Sequence, residues 1–173
     1  MAILDILTYP APELKKISKP VDKVDESIIN LIDNMFETMY AAPGIGLAAP
    51  QVGELKRIIV LDIGERDGGQ GTPLAIINPE IVSSAGETTF EEGCLSVPEF
   101  TADVVRAKEV KIKGMNRKGE SIEIDADGLL AIALQHEIDH LDGILFVDRL
   151  GLVKRDIFRR KVKKMLKQGK DRL

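Results

Sequence analysis

The sequence is poor in several residue types, and each shortage limits what the chain can be. Its 173 residues include one cysteine, two histidines and no tryptophan. A single cysteine cannot form an internal disulfide, so nothing favours an oxidising compartment. No apolar run approaches the roughly 18 residues of a membrane span, and the start of the chain lacks the basic and apolar regions of a secretion signal. We therefore expect a cytoplasmic protein.

The length and composition are those of an ordinary globular protein, and we expect a single domain over residues 1–173. Hydrophobic residues make up 44% and charged residues 30% of the sequence. The net charge of -4 is unevenly distributed, because residues 153–173 hold ten basic and two acidic side chains. That segment carries +8 and residues 1–152 carry -12. Such a basic tail indicates either contact with a polyanion or a solvated helix face, and charge alone does not separate the two.

Three segments have the apolar periodicity of helices. The first runs from about Asp25, a plausible N-cap, to Tyr40, with apolar residues at i, i+4 and i+7. The second is Leu129–Leu141, and the third is the basic segment 153–173 at the end of the chain. In the third, four apolar residues fall on one stripe that could pack on the body of the protein: Phe158, Val162, Met165 and Leu166.

Strand patterns lie between the first and second helices. They are rich in Ile and Val, and Gly and Pro separate them. The last two flank Asn116–Gly119, which is typical of a hairpin. We therefore predict an α+β fold, with mostly antiparallel strands packed around the central helix, an N-terminal helix and a C-terminal helix. The predicted strands are Lys56–Ile63, Leu74–Val82, Glu87–Leu95, Val110–Met115 and Ser121–Asp125.

The strongest chemical signal is an H-E-x-x-H pattern, His136 to His140, inside the second helix. Residues four apart lie on one helix face, so both imidazoles can reach one metal ion. Glu137 can then address a water bound to that metal. These two residues are the only histidines in the chain, which disfavours a chance pair on a solvated helix. The pattern therefore predicts a catalytic metal site.

A third ligand is needed, because catalytic zinc-type sites usually combine three protein ligands with a water. The sole thiol, Cys94, lies in Glu92–Ser96 at the end of a predicted strand. A lone cysteine is more often a small buried hydrophobe, but thiolate suits zinc or iron. No histidine follows His140 that could serve instead. We expect Cys94 to complete the site.

Two further segments can contribute to a substrate site. Leu129, Ile132 and Ala133 precede His136 by seven, four and three positions, so they extend its helix face as an apolar wall. They can accept an apolar substrate side chain, or they can simply pack the core. Gly44–Ala49 matches a dinucleotide fingerprint, but a helix precedes it and a strand follows, which reverses the required order. Its glycines instead allow close approach of backbone to a ligand, and the Gln51 amide is suited to stabilise an oxyanion.

Taken together, the three motifs resemble those of the peptide deformylase family. Its G-x-G-x-A-A-x-Q loop, E-G-C-x-S segment and H-E-x-D-H helix occur here as Gly44–Gln51, Glu92–Ser96 and His136–His140. Every fixed position matches, in the same order, and the likeness extends over most of the chain. The resemblance implies an enzyme that hydrolyses the formyl group from the N-terminal formyl-methionine of nascent polypeptides, releasing formate.

The resemblance also implies roles for individual residues. Cys94, His136 and His140 would bind one divalent metal ion, with Fe²⁺ expected in cells and Zn²⁺, Ni²⁺ or Co²⁺ in purified protein. Glu137 would act as general base and acid. Gln51 and the Leu95 backbone N–H would form the oxyanion hole. Ile45 and Gly46 would line the substrate groove, and the C-terminal helix would contact the ribosome.

Two departures from the family pattern concern contacts beyond the methionine. Many bacterial members carry a basic residue where this chain has Phe100–Thr101, and some carry an acidic residue where it has Pro43. Two other functions stay open at this point. A general metallopeptidase would use the same H-E-x-x-H pattern but leaves Cys94 and Gln51 unexplained. A catalytically idle ribosome-binding protein would not need an intact Glu137.

Overall fold

The N-terminal helix begins where the sequence predicts. The computed structural model describes residues 2–64 and 71–168. Within them α1 spans Glu26–Ala41, and the Asp25 side chain accepts a hydrogen bond from the Ile28 N–H at 3.1 Å. This N-cap satisfies one of the backbone donors that the first helical turn leaves free. The apolar residues of α1 point to one side and are buried.

A five-stranded antiparallel sheet forms the centre of the molecule. Its strands are β1 Gly46–Ala48, β2 Ile58–Leu61, β3 Leu74–Ala85, β6 Glu109–Met115 and β7 Ser121–Asp127. They are paired in the order β1-β2-β3-β6-β7, and each neighbouring pair is antiparallel. The hairpin predicted around Asn116–Gly119 joins β6 to β7 and is confirmed.

The other two strands form a separate hairpin. It consists of β4 (Thr88–Cys94) and β5 (Val97–Arg106), which are antiparallel and connected by a tight turn at Leu95 and Ser96. The sequence predicts β4 but misses β5, and it also misses the three-residue β1. Pro98 and the positive φ of Glu99 interrupt the start of β5 and obscure its alternation.

Helix α2 (Gly128–Leu141) lies between the sheet and the hairpin. Its residues Ala131, Leu134 and Ile138 pack on the sheet face that contains Ile59 and Leu61. The remaining faces of α2 are also covered, since all residues from 131 to 141 are buried. A helix buried on every side is apolar except where polar groups find partners. The central helix of the predicted α+β fold is thus confirmed.

Helix α1 covers the opposite face of the sheet. Because side chains alternate along a strand, Ile58 and Val60 of β2 pack towards α1, while Ile59 and Leu61 pack towards α2. Strand β2 is buried on both faces as a result, which explains its uninterrupted run of Ile, Val and Leu.

The C-terminal helix α3 (Leu152–Lys167) packs on the hairpin and on a short 3₁₀ helix, Phe146–Arg149. Phe158 and Val162 are buried, as predicted. The prediction for Leu166 is wrong, because that side chain is 44% exposed: the apolar cluster beneath α3 ends at Val162. Residues 169–173 of the predicted basic segment lie outside the described residues. No helix in the described ranges is both long and apolar enough to cross a membrane.

Candidate metal centre and active site

The candidate metal centre is built on the buried face of α2. His136 and His140 lie one helical turn apart, and their ring centroids are 5.0 Å from each other. Only 8% of His136 and 1% of His140 is exposed. Burial, the largest effect, lowers the pKa of His140 well below its usual value, helped by repulsion from His136. His140 is therefore neutral, the form in which imidazole binds metals.

Cys94 reaches the histidines from the other side, where β4 ends before the Leu95–Ser96 turn. Its Sγ lies 3.3 Å from Nε2 of His140, and the Ser96 N–H donates to the same sulfur at 3.4 Å. The ligand atoms of Cys94, His136 and His140 all lie within 4.8 Å of one another. The structure thus brings together the three residues that the sequence proposed as ligands.

This cluster fits a divalent metal ion. One thiolate and two imidazoles form a donor set typical of zinc or ferrous iron. Burial alone would lower the pKa of His136, but its hydrogen bonds to Cys94 and Glu92 raise it well above the usual value. The same negatively charged neighbours would favour a metal cation that takes the place of this proton. Within the described residues, no other group of cysteine, histidine and acidic side chains offers such a site.

Glu137 lies beside the cluster and is 5% exposed. Its Oε1 has no hydrogen-bond partner in the described part of the chain. Burial raises the pKa of Glu137 to about 7, although the nearby His136 lowers it. A pKa near neutrality suits a group that must both accept and release a proton.

The glycine loop passes directly over Glu137. A Cβ added to Gly46 would lie 2.5 Å from Oε2 of Glu137, which is far inside van der Waals contact. Only glycine therefore allows β1 to approach the carboxylate so closely. Gly46 and Ile45 both line the cavity described below.

Gln51 is fixed by hydrogen bonds at both ends of its amide. Its Oε1 accepts from the Ala48 N–H at 2.9 Å, and its Nε2 donates to Oγ of Ser96 at 3.0 Å. The same Nε2 lies 3.5 Å from Sγ of Cys94, and Gln51 is 1% exposed. Because these hydrogen bonds already hold the amide, its N–H donor points towards the ligand cluster and no conformational change is needed to place it there.

A cavity of about 720 Å³ opens above these groups. On one side lies the glycine loop, on another the β4–β5 hairpin, and on the third the apolar face of α2. All of the residues predicted as site residues line it except His140, which lies deeper. The lining includes Ile45, Gly46, Gln51, Cys94, Leu95, Leu129, Ile132, Ala133, His136 and Glu137. Pro43 and Thr101, where the chain departs from the family pattern, also line this cavity.

Sequence reasoning missed the ion-pair network that supports the metal centre. Nδ1 of His136 contacts Oε1 of Glu92 at 2.9 Å, and Arg106 donates to both oxygens of Glu92 at 2.8 Å. Arg106 also donates to Asp139 at 2.6 Å, and Arg149 holds Asp139 with two further hydrogen bonds. The carboxylate on Nδ1 orients the His136 ring so that Nε2 faces the cluster.

These contacts keep the Glu92 carboxylate in its charged form. Burial alone would raise its pKa, but the hydrogen bonds from Arg106 and His136 lower the pKa of Glu92 to about 2. The side chains of Glu92 and Arg106 are 4% and 2% exposed. Glu92 and Asp139 were visible as fixed acidic positions of the E-G-C-x-S and H-E-x-D-H motifs. Arg106 and Arg149 lie in no motif, and nothing in the sequence singles them out.

Comparison with known proteins places this geometry in a family. The family model described as polypeptide deformylase matches residues 3–156. A peptide deformylase of Syntrophobacter fumaroxidans is 56% identical over 169 residues, which cover 98% of this chain and 99% of the relative. One of Thermodesulfovibrio yellowstonii is 55% identical over 163 residues, covering 94% and 98%.

Solved structures agree with the sequence relatives. A crystal structure of a peptide deformylase from Legionella pneumophila matches with a TM-score of 0.88 and 50% identity, covering 99% of this chain and 100% of that one. A peptide deformylase from Ehrlichia chaffeensis in complex with actinonin also gives a TM-score of 0.88, with 45% identity and coverage of 95% and 98%.

Proposed function

Because the chain belongs to the polypeptide deformylase family, we propose that it removes the formyl group from the N-terminal formyl-methionine of nascent polypeptides by metal-assisted hydrolysis, releasing formate. The chain is thus an enzyme, a deformylase. One observation carries the proposal: Cys94, His136 and His140 converge to within 4.8 Å beside the buried Glu137, at the base of an apolar cavity.

Cys94, His136 and His140 would hold the metal ion. When bound there, a divalent ion supplies a Lewis acid and makes hydroxide available near neutral pH. We expect Fe²⁺ in cells, with Zn²⁺, Ni²⁺ or Co²⁺ able to replace it in purified protein, since the S/N/N donor set accepts any of them. Glu92 would orient the His136 ring through its Nδ1.

Glu137 would move the proton. Its carboxylate would accept a proton from the attacking water and then deliver it to the leaving amine nitrogen, so that the amide bond breaks and formate departs. The pKa of about 7 supports both half-steps at neutral pH. Its position beneath Gly46 would fix the carboxylate against the substrate backbone.

Gln51 and the Leu95 N–H would stabilise the oxyanion that forms as the formyl carbon becomes tetrahedral. Gln51 is supported in this role by its buried amide, whose oxygen and nitrogen both form hydrogen bonds. Leu95 is supported by its place directly after Cys94 at the edge of the cavity. A donor of this kind contributes about 3 kcal/mol to transition-state stabilisation.

Leu129, Ile132 and Ala133 would accept the methionine side chain, while Ile45 and Gly46 would lie along the peptide backbone. The three apolar residues form the α2 wall of the cavity, close to the ligand cluster. Apolar contact at this point binds and orients the substrate, and the polar groups supply the rate.

The proposal is tested by formate release. Enzyme purified without oxygen should release formate from a formyl-Met tripeptide, and elemental analysis of the same sample should show one Fe²⁺ per chain. An acetyl-Met tripeptide and an internal-sequence peptide serve as controls. Cleavage of the internal peptide, with no formate from the first substrate, would instead identify a general metallopeptidase.

We further propose that the enzyme works in the cytoplasm at the ribosome, with α3 as the contact. Within the described part of α3, basic side chains stand on the outer face, and Lys163, Lys164 and Lys167 are exposed. Ribosomal RNA presents dense phosphate, which such a face would bind by releasing counterions. The experiment for this proposal is described in the Discussion.

A further inference from the structure

The two proposed histidine ligands are supported in different ways. Nδ1 of His136 contacts the Glu92 carboxylate at 2.9 Å, so a side chain orients that ring. Nδ1 of His140 is buried and has no hydrogen-bond partner among residues 2–64 and 71–168. The position of the His140 ring therefore depends on where its backbone lies, in the last turn of α2.

The last turn of a helix needs partners from outside the helix, because its final carbonyl groups have none within it. The carbonyl of Asp139 accepts hydrogen bonds from the N–H groups of Asp142 and Ile144, both at 2.9 Å. The carbonyl of His140 accepts from the Gly143 N–H at 3.1 Å. These bonds join α2 to the turn that follows it, but they do not attach either of them to the rest of the molecule.

Arg57 makes that attachment. It directly precedes β2, and its own N–H donates to the carbonyl oxygen of Lys19 at 3.0 Å. Its Nη1 donates to the carbonyl oxygen of Leu141 at 3.0 Å, and its Nη2 donates to the Asp142 carboxylate at 3.0 Å. The side chain is 18% exposed. A planar guanidinium thus contacts the carboxyl end of α2 at two points, where a positive charge also favours the helix dipole.

The chain around Ser18 completes the contact. The Ser18 N–H donates to the same Leu141 carbonyl at 2.8 Å, and the Ser18 carbonyl accepts from Nη1 of Arg57 at 3.4 Å. On the other side of the turn, Gly143 has a φ of +72°, and a Cβ added there would lie 2.5 Å from the carbonyl oxygen of Lys15. Backbone therefore packs against backbone at this end of α2, and the helix end has little room to shift.

We propose that Arg57 is a positioning residue for the metal centre: by holding the carboxyl end of α2, it keeps His140 where one ion can be shared with Cys94 and His136. This inference rests on the proposed function, because it takes these three residues as the ligands. Arg57 acts through the Leu141 carbonyl, one residue beyond His140. Ligand distances in metal sites vary by only about 0.2 Å, so a small displacement of the helix end weakens binding.

The test measures the affinity of the site for Co²⁺ alone. Co²⁺-loaded enzyme is titrated with a chelator of known affinity, and the visible absorption of the bound ion is recorded. Arg57→Met keeps an apolar stem but removes the donors. We expect its dissociation constant for Co²⁺ to rise by about tenfold, as for other residues that support a ligand, and the absorption bands to shift. Arg117→Met, which breaks a half-exposed pair with Asp33, should change neither.

The direction of the effect separates positioning from charge. Loss of a positive charge near a cation would by itself relieve repulsion and lower the dissociation constant, so a lower value in Arg57→Met would overturn the proposal. Arg57→Lys keeps the charge but loses the planar pair of donors. Its dissociation constant for Co²⁺ should lie between those of the wild type and Arg57→Met.

A second pair of variants disturbs the same helix end without changing any charge. In Gly143→Ala the new Cβ would collide with the Lys15 carbonyl, whereas in Gly128→Ala, at the first residue of α2, it would meet nothing within 4 Å. Both glycines have a positive φ, +72° and +55°, so both variants carry the strain of a left-handed residue. Gly143→Ala should therefore weaken Co²⁺ binding and Gly128→Ala should not. This pair decides the question if Arg57→Met does not fold.

Two reference variants distinguish failure of this inference from failure of the proposed function. If His140→Ala binds Co²⁺ as tightly as the wild type, the ligand assignment is wrong. If His140→Ala binds it weakly while Arg57→Met and Gly143→Ala match the wild type, the ligands stand and the role of Arg57 is rejected. Asp25→Ala removes the N-cap of α1 and lowers stability away from the site, so an equal loss of Co²⁺ affinity there would also reject it.

Discussion

At the scale of single residues, the proposed metal ligands and the proposed proton carrier should be separable by mutation. Cys94→Ala, His136→Ala and His140→Ala each remove one donor from a three-residue cluster, so each variant should lose most of its bound metal. Glu137→Ala removes no donor and should keep it, while kcat falls about 10²–10⁴-fold. Elemental analysis of each variant checks its metal content, and formate release by the same samples checks kcat. Full metal occupancy in the three ligand variants would contradict the assignment.

Gly46 should be needed for catalysis and not for metal binding. In Gly46→Ala the new Cβ would collide with Oε2 of Glu137, and the carboxylate would have to move. A misplacement of about 1 Å can cost about 10²-fold in rate, so we expect kcat to fall by about 10- to 100-fold with metal content unchanged. Gly151→Ala, where a Cβ would meet nothing within 4 Å, is the control. An unchanged kcat in Gly46→Ala would mean that Glu137 does not act from this position.

Arg106 should be essential for stability. Arg106→Leu would leave Glu92 buried without its main partner and Asp139 with Arg149 alone. Breaking a buried ion pair in this way costs about 3–5 kcal/mol of unfolding free energy. Arg117→Leu removes a pair with Asp33 whose side chains are 40% and 32% exposed, and it should cost at most about 1 kcal/mol. Urea unfolding of both variants at one fixed metal concentration measures the difference, and equal costs would contradict the proposed importance of the network.

The convergence of the three proposed ligands could be predicted from the sequence, whereas the ion pairs that support them could not. His136 and His140 are four residues apart on one helix, so local geometry alone brings them together. Cys94 could be added because it is the only thiol. Arg106, in contrast, reaches Glu92 and Asp139 from 14 and 33 residues away in sequence. Only the three-dimensional packing of β5 against α2 creates that contact, and an isolated arginine gives no pattern from which to infer it.

At the scale of secondary-structure elements, the contribution of the α1 N-cap to the unfolding free energy should be measurable by a single substitution. The Asp25 side chain accepts hydrogen bonds from the Ile28 N–H and the Ser27 hydroxyl. Asp25→Ala should therefore lower the unfolding free energy by about 0.5–2 kcal/mol. Asp127 occupies the same position before α2 but makes no side-chain cap hydrogen bond, so Asp127→Ala should cost less. Denaturant unfolding of the two variants tests this, and a larger effect at Asp127 would contradict it.

Elements whose hydrophobic pattern is uninterrupted could be predicted from the sequence, whereas elements with an interrupted or very short pattern could not. Helix α1 combines an apolar period with a cap, and β6 and β7 alternate regularly around a turn. After the interruption at Pro98 and Glu99, strand β5 does alternate, since Ala102, Val104 and Arg106 point inwards. Its inward positions, however, include a buried arginine whose partners are distant in sequence, so the pattern looks polar. Strand β1 has three residues, too few for any period to be recognised.

At the scale of the whole molecule, the acidic and the basic side chains are concentrated in different parts of the chain. The body carries the acidic excess and the active-site cavity, whereas α3 carries eight basic side chains and one acidic one. Only the middle of α3 packs firmly, because Phe158 and Val162 are buried while Leu152, Val153 and Leu166 are exposed. Lys161 also holds the Glu99 carbonyl. Removing the chain from Lys161 onward would thus disturb the hairpin as well as the charge, and substitution of charges is a cleaner test of ribosome binding.

Reversing three exposed charges near the end of α3 should weaken ribosome binding and spare catalysis. Lys163, Lys164 and Lys167 form no ion pair or hydrogen bond with any residue that the structure describes. In the triple variant with Glu at these positions, ribosome co-sedimentation should fall, and the slope of log affinity against log salt should decrease by about three if each lysine neutralises one phosphate. Turnover of a formyl-Met tripeptide should stay within about twofold of wild type, since the substitutions lie outside the active-site cavity. A control with Glu at Lys16, Lys108 and Lys118, exposed lysines of the body, changes the net charge equally and should still co-sediment. Equal losses in the two variants would show that overall charge, and not α3, governs the interaction, and undiminished co-sedimentation of the α3 variant at low salt would reject the ribosome contact.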